Sequence, residues 1–449
     1  MTATYTQKPL FGRRLMESST LIFIGAGFSV EANIPVQNHI LSEMQREPNL
    51  LSGDNTPESV KFLESFIDVG IFILNKFTNF DINELIKKKE AAKFIKAWED
   101  VLLELQSEIS TQSLQSLAIK FKEPNIVDLL NEIIHISQDK ILRLQLNEIT
   151  NAHYYRILVD LKEQIRKALS TENPKVDLED IFTIFDKSFR ENENWGELTY
   201  VELDHLRHAL LRLFTYYFGQ KIYQFSKSKT KAYDSFVQYV RENSVSIITT
   251  NWDSITEIIL KKNNIDFKTH EEKNYSENYI NIIKLHGSIN WFKCNSCGTY
   301  QIAKYCDIAT HLLDDKKKEK CEKCQNFAVS NQVVLQPEII TPTMLKTLNS
   351  KLYREIWTSG SSAIEKANKI IFIGYSLPQA DFEIRYLLKK HIKRDALIDV
   401  VLIAHDKPKS TSNGLCPEDR YKSLFPANKI SFHYEGYKKF FRGENQRNC

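Results

Sequence analysis

Four apolar residues, Leu21-Ile22-Phe23-Ile24, run directly into Gly25-Ala26-Gly27-Phe28-Ser29. This junction constrains the chain more than any other stretch. A short apolar, partly β-branched run reads as a buried parallel strand. Two glycines at its carboxyl end read as a tight turn into a helix, where backbone N–H groups can approach a pyrophosphate. Ser29 adds a hydroxyl donor. The same residues also suit a plain strand-to-helix turn. A dehydrogenase-type dinucleotide turn wants a third glycine three residues after the second. Val30 stands there, so that class is a poor fit.

Strand character returns far downstream. Val245 to Thr250 ends at Asn251-Trp252-Asp253, Ile280 to Leu285 ends at His286-Gly287, and Lys369 to Ile373 ends at Gly374-Tyr375-Ser376. Val333 to Ile340 and Ala396 to Ile403 complete the set. Strands alternating with helical stretches predict an α/β fold with a mostly parallel, doubly wound sheet. In such sheets the carboxyl ends of the strands bind ligands, and polar or glycine residues recur at those ends here.

Between the first strand and the next, from Pro57 to Phe225, the pattern is helical. Asp81 with Glu84 resembles a capping pair. Ile82, Leu85, Phe94, Ile95, Trp98, Leu102 and Leu105 follow at three- and four-residue steps. Ile126, Leu129, Leu130, Ile133 and Ile134 repeat the pattern, as do Leu210, Leu211, Phe214, Tyr217 and Phe218. These stripes are expected to be core. The chain has 449 residues, room for one large α/β domain plus an insertion. The expected organisation is a first part of a nucleotide-binding domain at 1–42, a helical insertion at 43–240, and the remainder of that domain at 241–449.

Seven cysteines include Cys294-x-x-Cys297 and Cys321-x-x-Cys324, separated by 23 residues. Two such knuckles supply four thiolates to one tetrahedral zinc. The expectation is a closed, structural Zn²⁺ site in a ribbon at about 290–330, with Cys306, Cys416 and Cys449 outside it. This cysteine usage suits a reducing compartment. No run of about 18 apolar residues is present, so a cytoplasmic protein without a membrane span is expected. The formal net charge of +3 is too mild to argue for direct nucleic-acid binding.

The strand-end residues carry chemistry of their own. His286 at a strand end can act as a general base near neutral pH. Asn251 can orient a water or a ribose hydroxyl, and Asp253 can accept from an amide, although both also form turns. Gly374-Tyr375-Ser376-Leu377-Pro378 is a turn of the kind that contacts phosphate or ribose.

Taken in order, these motifs resemble the sirtuin family: Gly-Ala-Gly with Ser29, Ile34-Pro35, Thr249-Thr250-Asn251-Trp252-Asp253, His286-Gly287, the two knuckles, and Gly374-Tyr375-Ser376-Leu377. The resemblance covers residues 20–42 and 245–405. It implies a sirtuin-type Rossmann-like sheet that binds NAD beside a zinc ribbon, and cleavage of the nicotinamide–ribose bond. By position, His286 is the base acting on the ribose hydroxyls, Asn251 lies beside the ribose, and Asp253 lies near the nicotinamide. Gly25, Ala26, Gly27 and Ser29, with Gly374 and Ser376, hold the phosphates and ribose.

The chain departs from protein-deacetylating sirtuins in several places. Ile-Pro is followed there by Asp-Phe-Arg and here by Val36-Gln37-Asn38. The peptide-binding Phe-Gly-Glu stretch is replaced by Ile339-Ile340-Thr341-Pro342-Thr343, and Ala404-His405-Asp406 stands where the family has an asparagine. These features, together with Asp381, Arg385 and the large insertion, resemble the divergent bacterial sirtuin-like proteins of anti-phage defence, which hydrolyse NAD. The resemblance implies an NAD⁺ glycohydrolase acting as an abortive-infection effector. It also implies a homo-oligomer and a partner protein such as a HerA-like ATPase or another phage sensor. An NAD-dependent protein deacylase and a non-catalytic NAD or ADP-ribose binding module are the alternatives.

Overall fold

The computed structural model describes residues 20–35, 40, 43, 57–104, 146–172, 174, 176–269, 279–294, 297–302, 324, 335–341, 343, 350–402, 416–426 and 428–447. Strand β1, Thr20–Ile24, is wholly buried. It lies between β2, Val245–Thr249, and β8, Lys369–Ile373, and is parallel to both. Beyond β2 come β4, Ile280–Lys284, and the two-residue β3, Phe267–Lys268. Beyond β8 come β9, Leu397–Val401, and β10, Ile430–His433. All seven strands are parallel.

The continuous apolar runs follow from burial on both faces. Alternate residues of β1 enter different cores. Ile22 and Ile24 pack with the helical layer between β1 and β2, while Leu21 and Phe23 pack with the helices that flank β8. Ile371 and Ile373 of β8 join the first core, and Ile370 and Phe372 the second.

Six described α-helices lie between β1 and β2, of which the first five are α1 Pro57–Phe77, α2 Asn83–Glu104, α3 Leu146–Glu172, α4 Leu178–Glu191 and α5 Tyr200–Lys227. This is the large helical insertion expected of the fold. Asp81 does cap, but its carboxylate accepts from the Asn83 amide at 3.0 Å. Thr199 and Glu202 form a reciprocal capping box at α5. Leu210, Leu211, Phe214, Tyr217 and Phe218 are all buried, as expected. Leu105 and the stripe Ile126 to Ile134 lie outside the described residues. Helices α6, Asp234–Glu242, and α7, Ile255–Lys262, flank β2, and α8, Lys351–Lys366, and α9, Phe382–His391, flank β8. No helix among the described residues is long and apolar enough to cross a membrane.

Two expectations change. The segment after the glycine turn is a 3₁₀ helix, Ala26–Ala32, closed by Asn33 in the left-handed region. Ile34-Pro35 follows at once and leaves no length for a full α-helix. The Val333–Ile340 strand, observed as β7, Leu335–Ile339, is not in the parallel sheet. It pairs antiparallel with β5, Gly287–Cys294, in a small separate sheet with β6, Tyr300–Ile302.

Candidate functional site

The chain extends the sheet from β1 to β2, β4 and β3 on one side, then crosses to β8, β9 and β10 on the other. The order therefore reverses between β1 and β8, and in open α/β sheets ligands bind beyond the carboxyl ends at such a reversal. Two glycine turns interlock there. The Gly25 amide donates to Ile373 O and the Gly27 amide to Gly374 O, both at 2.9 Å. A Cβ on Gly27 would sit 2.7 Å from the Gly374 Cα, and one on Gly374 would sit 2.5 Å from the Gly27 Cα. Gly374 also has φ +60°. The glycines at this junction are needed for backbone contact as well as for access to a ligand.

A cavity of about 440 Å³ opens over this junction. Of the residues expected to form a site, Ala26, Gly27, Asn251, Asp253, His286, Gly374 and Ser376 line it. Gly25 and Ser29 do not; they lie directly behind its wall. A second cavity of about 200 Å³ shares Gly27 and Gly374 with the first. Glu31 and Lys438, paired at 2.8 Å, flank the second cavity.

Asn251 reaches the turn from the end of β2. Its Nδ2 donates to Gly25 O and to Ser29 Oγ, each at 3.1 Å. With the amide nitrogen used in this way, the side-chain oxygen is its remaining polar atom and acts as an acceptor. The Ser29 hydroxyl also bonds the Asp253 carboxylate, and Asp253 Oδ1 accepts from the Ile255 amide at 2.9 Å, at the start of α7. Burial pushes the Asp253 carboxyl up, against the opposing pull of Lys284. Lys284 is itself buried. Its Nζ lies 2.5 Å from Asp253 O and 2.7 Å from Glu257 Oε1. The end of β4 is thereby tied to the loop that presents Asn251.

His286 is buried, with Nε2 3.7 Å from Asp381 Oδ1. The Tyr375 hydroxyl donates to Asp381 Oδ2 at 2.7 Å. Burial, and then the Asp381 carboxylate, hold the Tyr375 phenol well above its usual range, so it stays a donor. This array holds Asp381 beside the imidazole.

Other cavity residues were not assigned to a site from the sequence. Asp177 and Glu179 come from the start of α4, where Asp177 caps the helix by accepting from the Glu179 amide. Phe218 comes from α5 and Trp252 from the β2 loop. Arg420 comes from α10, Pro417–Leu424. Asp177 is readable as a helix cap, but nothing in that pattern points to a cavity.

The Sγ atoms of Cys294, Cys297 and Cys324 all lie within 4.8 Å of one another, and those of Cys294 and Cys324 are 3.9 Å apart. Thiolates on a tetrahedral zinc at about 2.3 Å would be separated by about 3.8 Å. The three described thiols therefore fit a metal; Cys321 lies outside the described residues. Val36, Gln37, Asn38, Pro342 and Ala404 to Asp406 also lie outside them.

Residues 245–415 match the family model of a SIR2-like domain, in agreement with the sirtuin resemblance. Among solved structures it is similar to a Sir2 homologue in complex with NAD. The identity is 17%, with 54% of this chain and 74% of that chain covered, at a TM-score of 0.31. A structure addressing the mechanism and regulation of Sir2 enzymes gives 14% identity, 59% and 88% coverage, and 0.32. One addressing sirtuin substrate affinity gives 13%, 54% and 78%, and 0.33. Similarities of this size say nothing of activity. No curated protein matches the chain.

Proposed function

We propose that this protein is an NAD⁺ glycohydrolase that releases nicotinamide and ADP-ribose. The observation that carries this reading is the pair of cavities meeting at the Gly27–Gly374 contact, with Asn251 and His286 on the wall of the larger one. A dinucleotide has two nucleoside halves joined by a narrow bridge, and two cavities that share Gly27 and Gly374 in their lining suit that shape. The SIR2-like domain supports NAD as the substrate. A bound zinc, held by Cys294, Cys297, Cys321 and Cys324, belongs to this reading as a structural element and takes no part in the reaction.

The chemistry requires a held ribose, a leaving group and stabilisation of an oxocarbenium-like state. His286 takes a proton from a ribose hydroxyl, while the side-chain oxygen of Asn251 accepts from ribose or water. The bond between the ribose carbon and the pyridinium nitrogen breaks, its electron pair goes to nitrogen, and neutral nicotinamide leaves. Water adds to the ribosyl cation and gives up a proton to solvent, and His286 returns its proton to the ribose oxygen. The carboxylates of Asp177, Glu179 and Asp381 on the cavity wall favour the positive charge that develops. No nucleophilic side chain is needed.

In this reading the enzyme is a cytoplasmic effector of bacterial anti-phage defence. Its activity is gated by self-association or by a partner such as a HerA-like ATPase or another phage sensor. The contribution of the insertion to the cavity wall supports such gating. The test is to incubate the protein with NAD, with and without infected-cell lysate, and to follow nicotinamide and ADP-ribose. His286→Ala and Asn251→Ala should each lower turnover by about 10² or more, the weight of a positioned acid–base group, and weaken NAD binding less. Unchanged nicotinamide release by both variants would refute the assignment. Nicotinamide release only with acetylated peptide would replace hydrolase by deacylase, and binding without release would leave a binding module.

A further inference from the structure

A pyrophosphate bridge carries two negative charges, and the glycine turn expected to receive it has already committed much of its donor capacity. The Gly25 and Gly27 amides donate to Ile373 O and Gly374 O, and the Phe28 amide donates to Gly25 O at 3.0 Å. The Ser29 hydroxyl lies behind the wall, between Asn251 and Asp253. Charge for the bridge must come from elsewhere. The described wall of the larger cavity carries the carboxyl side chains Asp177, Glu179, Asp253 and Asp381, and Arg420 is the only lysine or arginine among them.

Arg420 is held in a defined position. Its Nε and Nη2 both donate to Ser376 O, at 3.0 and 2.9 Å. The hydroxyl of the next residue, Tyr421, donates to Tyr375 O at 2.9 Å. Helix α10 therefore grips two successive carbonyls of the turn Gly374–Pro378. That turn contains two left-handed residues, Gly374 at φ +60° and Leu377 at φ +54°. A left-handed leucine costs about 1–2 kcal/mol, so the turn persists because its surroundings impose it. The same turn supplies Gly374, which both cavities share. A bridge running from one cavity to the other must pass this glycine, two residues from the carbonyl that the guanidinium holds.

We propose that Arg420 is the pyrophosphate-binding residue of this site, taking the anionic bridge of a dinucleotide while it fixes the turn against which the bridge lies. This inference rests on the reading that the cavity takes NAD. A planar guanidinium suits both tasks, since one edge can hold a carbonyl while another meets phosphate oxygens. A lysine ammonium supplies the charge without that geometry.

Calorimetric titration with ADP-ribose and with nicotinamide riboside, which lacks the bridge, tests the proposal. Arg420→Gln should weaken ADP-ribose binding by about tenfold or more, flatten its dependence on ionic strength, and leave nicotinamide riboside affinity within about twofold. Tyr421→Phe, which removes the other grip on the turn without a change of charge, should leave that ionic-strength dependence intact. If Arg420→Gln binds ADP-ribose as tightly as the unsubstituted protein, the assignment is wrong although the NAD reading stands. If the unsubstituted protein binds neither ADP-ribose nor NAD, both fall. If Arg420→Gln does not fold, Arg420→Lys decides. Retention of ADP-ribose binding supports the charge role, and loss of both ligands together overturns it.

Discussion

The interlocked glycines at the sheet reversal offer a test in which strain and contact separate. A Cβ at Gly436, φ +79°, would meet nothing within 4 Å. Gly436→Ala thus reports backbone strain alone, about 1 kcal/mol. Gly27 is the converse case. No left-handed φ is involved, but its Cβ would lie 2.7 Å from the Gly374 Cα and 3.1 Å from the Gly374 carbonyl oxygen. Both atoms are main chain and cannot swing aside, so Gly27→Ala should cost about 1–3 kcal/mol, the range for overpacked cores. Gly374→Ala combines both terms, with φ +60° and three main-chain atoms of Gly27 and Phe28 within 2.6 Å. Its cost should be about 2–5 kcal/mol. Urea unfolding of the three variants, compared at constant slope, measures the ladder. The prediction is the order Gly436→Ala, Gly27→Ala, Gly374→Ala from mildest to most severe. A Gly374→Ala midpoint no lower than that of Gly436→Ala would mean that the two turns part without cost, and the account of the junction would be wrong.

Fresh protein should contain about one zinc per chain, and Cys294→Ser should lose the metal and destabilise the fold, because structural metal binding contributes directly to folding; metal analysis showing less than about half an equivalent counts against the site. Lys284→Met leaves Glu257 buried without its cation and should cost about 3–5 kcal/mol, whereas the double variant Lys284→Met, Glu257→Leu should recover most of the loss. Additive costs in that cycle would contradict a coupled pair. Asp399 sits 2.9 Å from the His433 ring and 3.2 Å from Lys369 Nζ. Burial pushes its carboxyl up, but these two partners outweigh it and hold it below the usual range. A depressed folded value means that the stabilisation is present above the ordinary aspartate value near 3.9 and is lost as pH falls through the lower folded value. Asp399→Asn should therefore cost about 1–3 kcal/mol at pH 7, and the difference from the unsubstituted protein should close in acid; a constant difference across pH would refute the linkage.

How much was legible in the chain depended on where each residue's partners lie. β1, β2 and β8 are buried on both faces, so their residues form unbroken apolar runs that local pattern reveals. β5 was missed because its run Gly-Ser-Ile-Asn-Trp-Phe-Lys-Cys mixes polar and apolar residues; the alternation of Ser288, Ile289, Asn290 and Trp291 was the available signal. β3 has only two residues and makes no pattern. The strand-end residues Asn251, His286 and Gly374 were legible because a parallel sheet brings carboxyl ends to one edge. Phe218, Glu179 and Arg420 reach the same cavity through helix packing, a three-dimensional fact with no counterpart in local spacing. Likewise, the Gly-Ala-Gly motif identified the turn, but only the structure shows that its Gly25 and Gly27 amides donate to β8 and the turn that follows it.

The insertion and the strand-end loops are joined by a traceable set of contacts. Trp252 packs against Phe214 and Phe218 of α5, each with ring centroids 6.3 Å apart. Its indole N–H donates to Ile340 O at 3.1 Å, and the Ile340 amide donates to His286 O at 2.9 Å. The Ile289 amide and the Ser288 hydroxyl both donate to Trp252 O. From α4, Asp186 accepts from Thr341 at 2.9 Å while holding Arg207 of α5 at 2.7 Å. One aromatic residue thus touches the insertion on one side and, through two hydrogen bonds, the backbone of His286 on the other. Close-packed interiors shift between discrete arrangements rather than deform smoothly. A change in how α5 packs therefore cannot be absorbed at Trp252 without altering the hydrogen bonds that set the His286 loop. If the proposed activity is gated through the helical block, these contacts give it a direct route to the His286 loop.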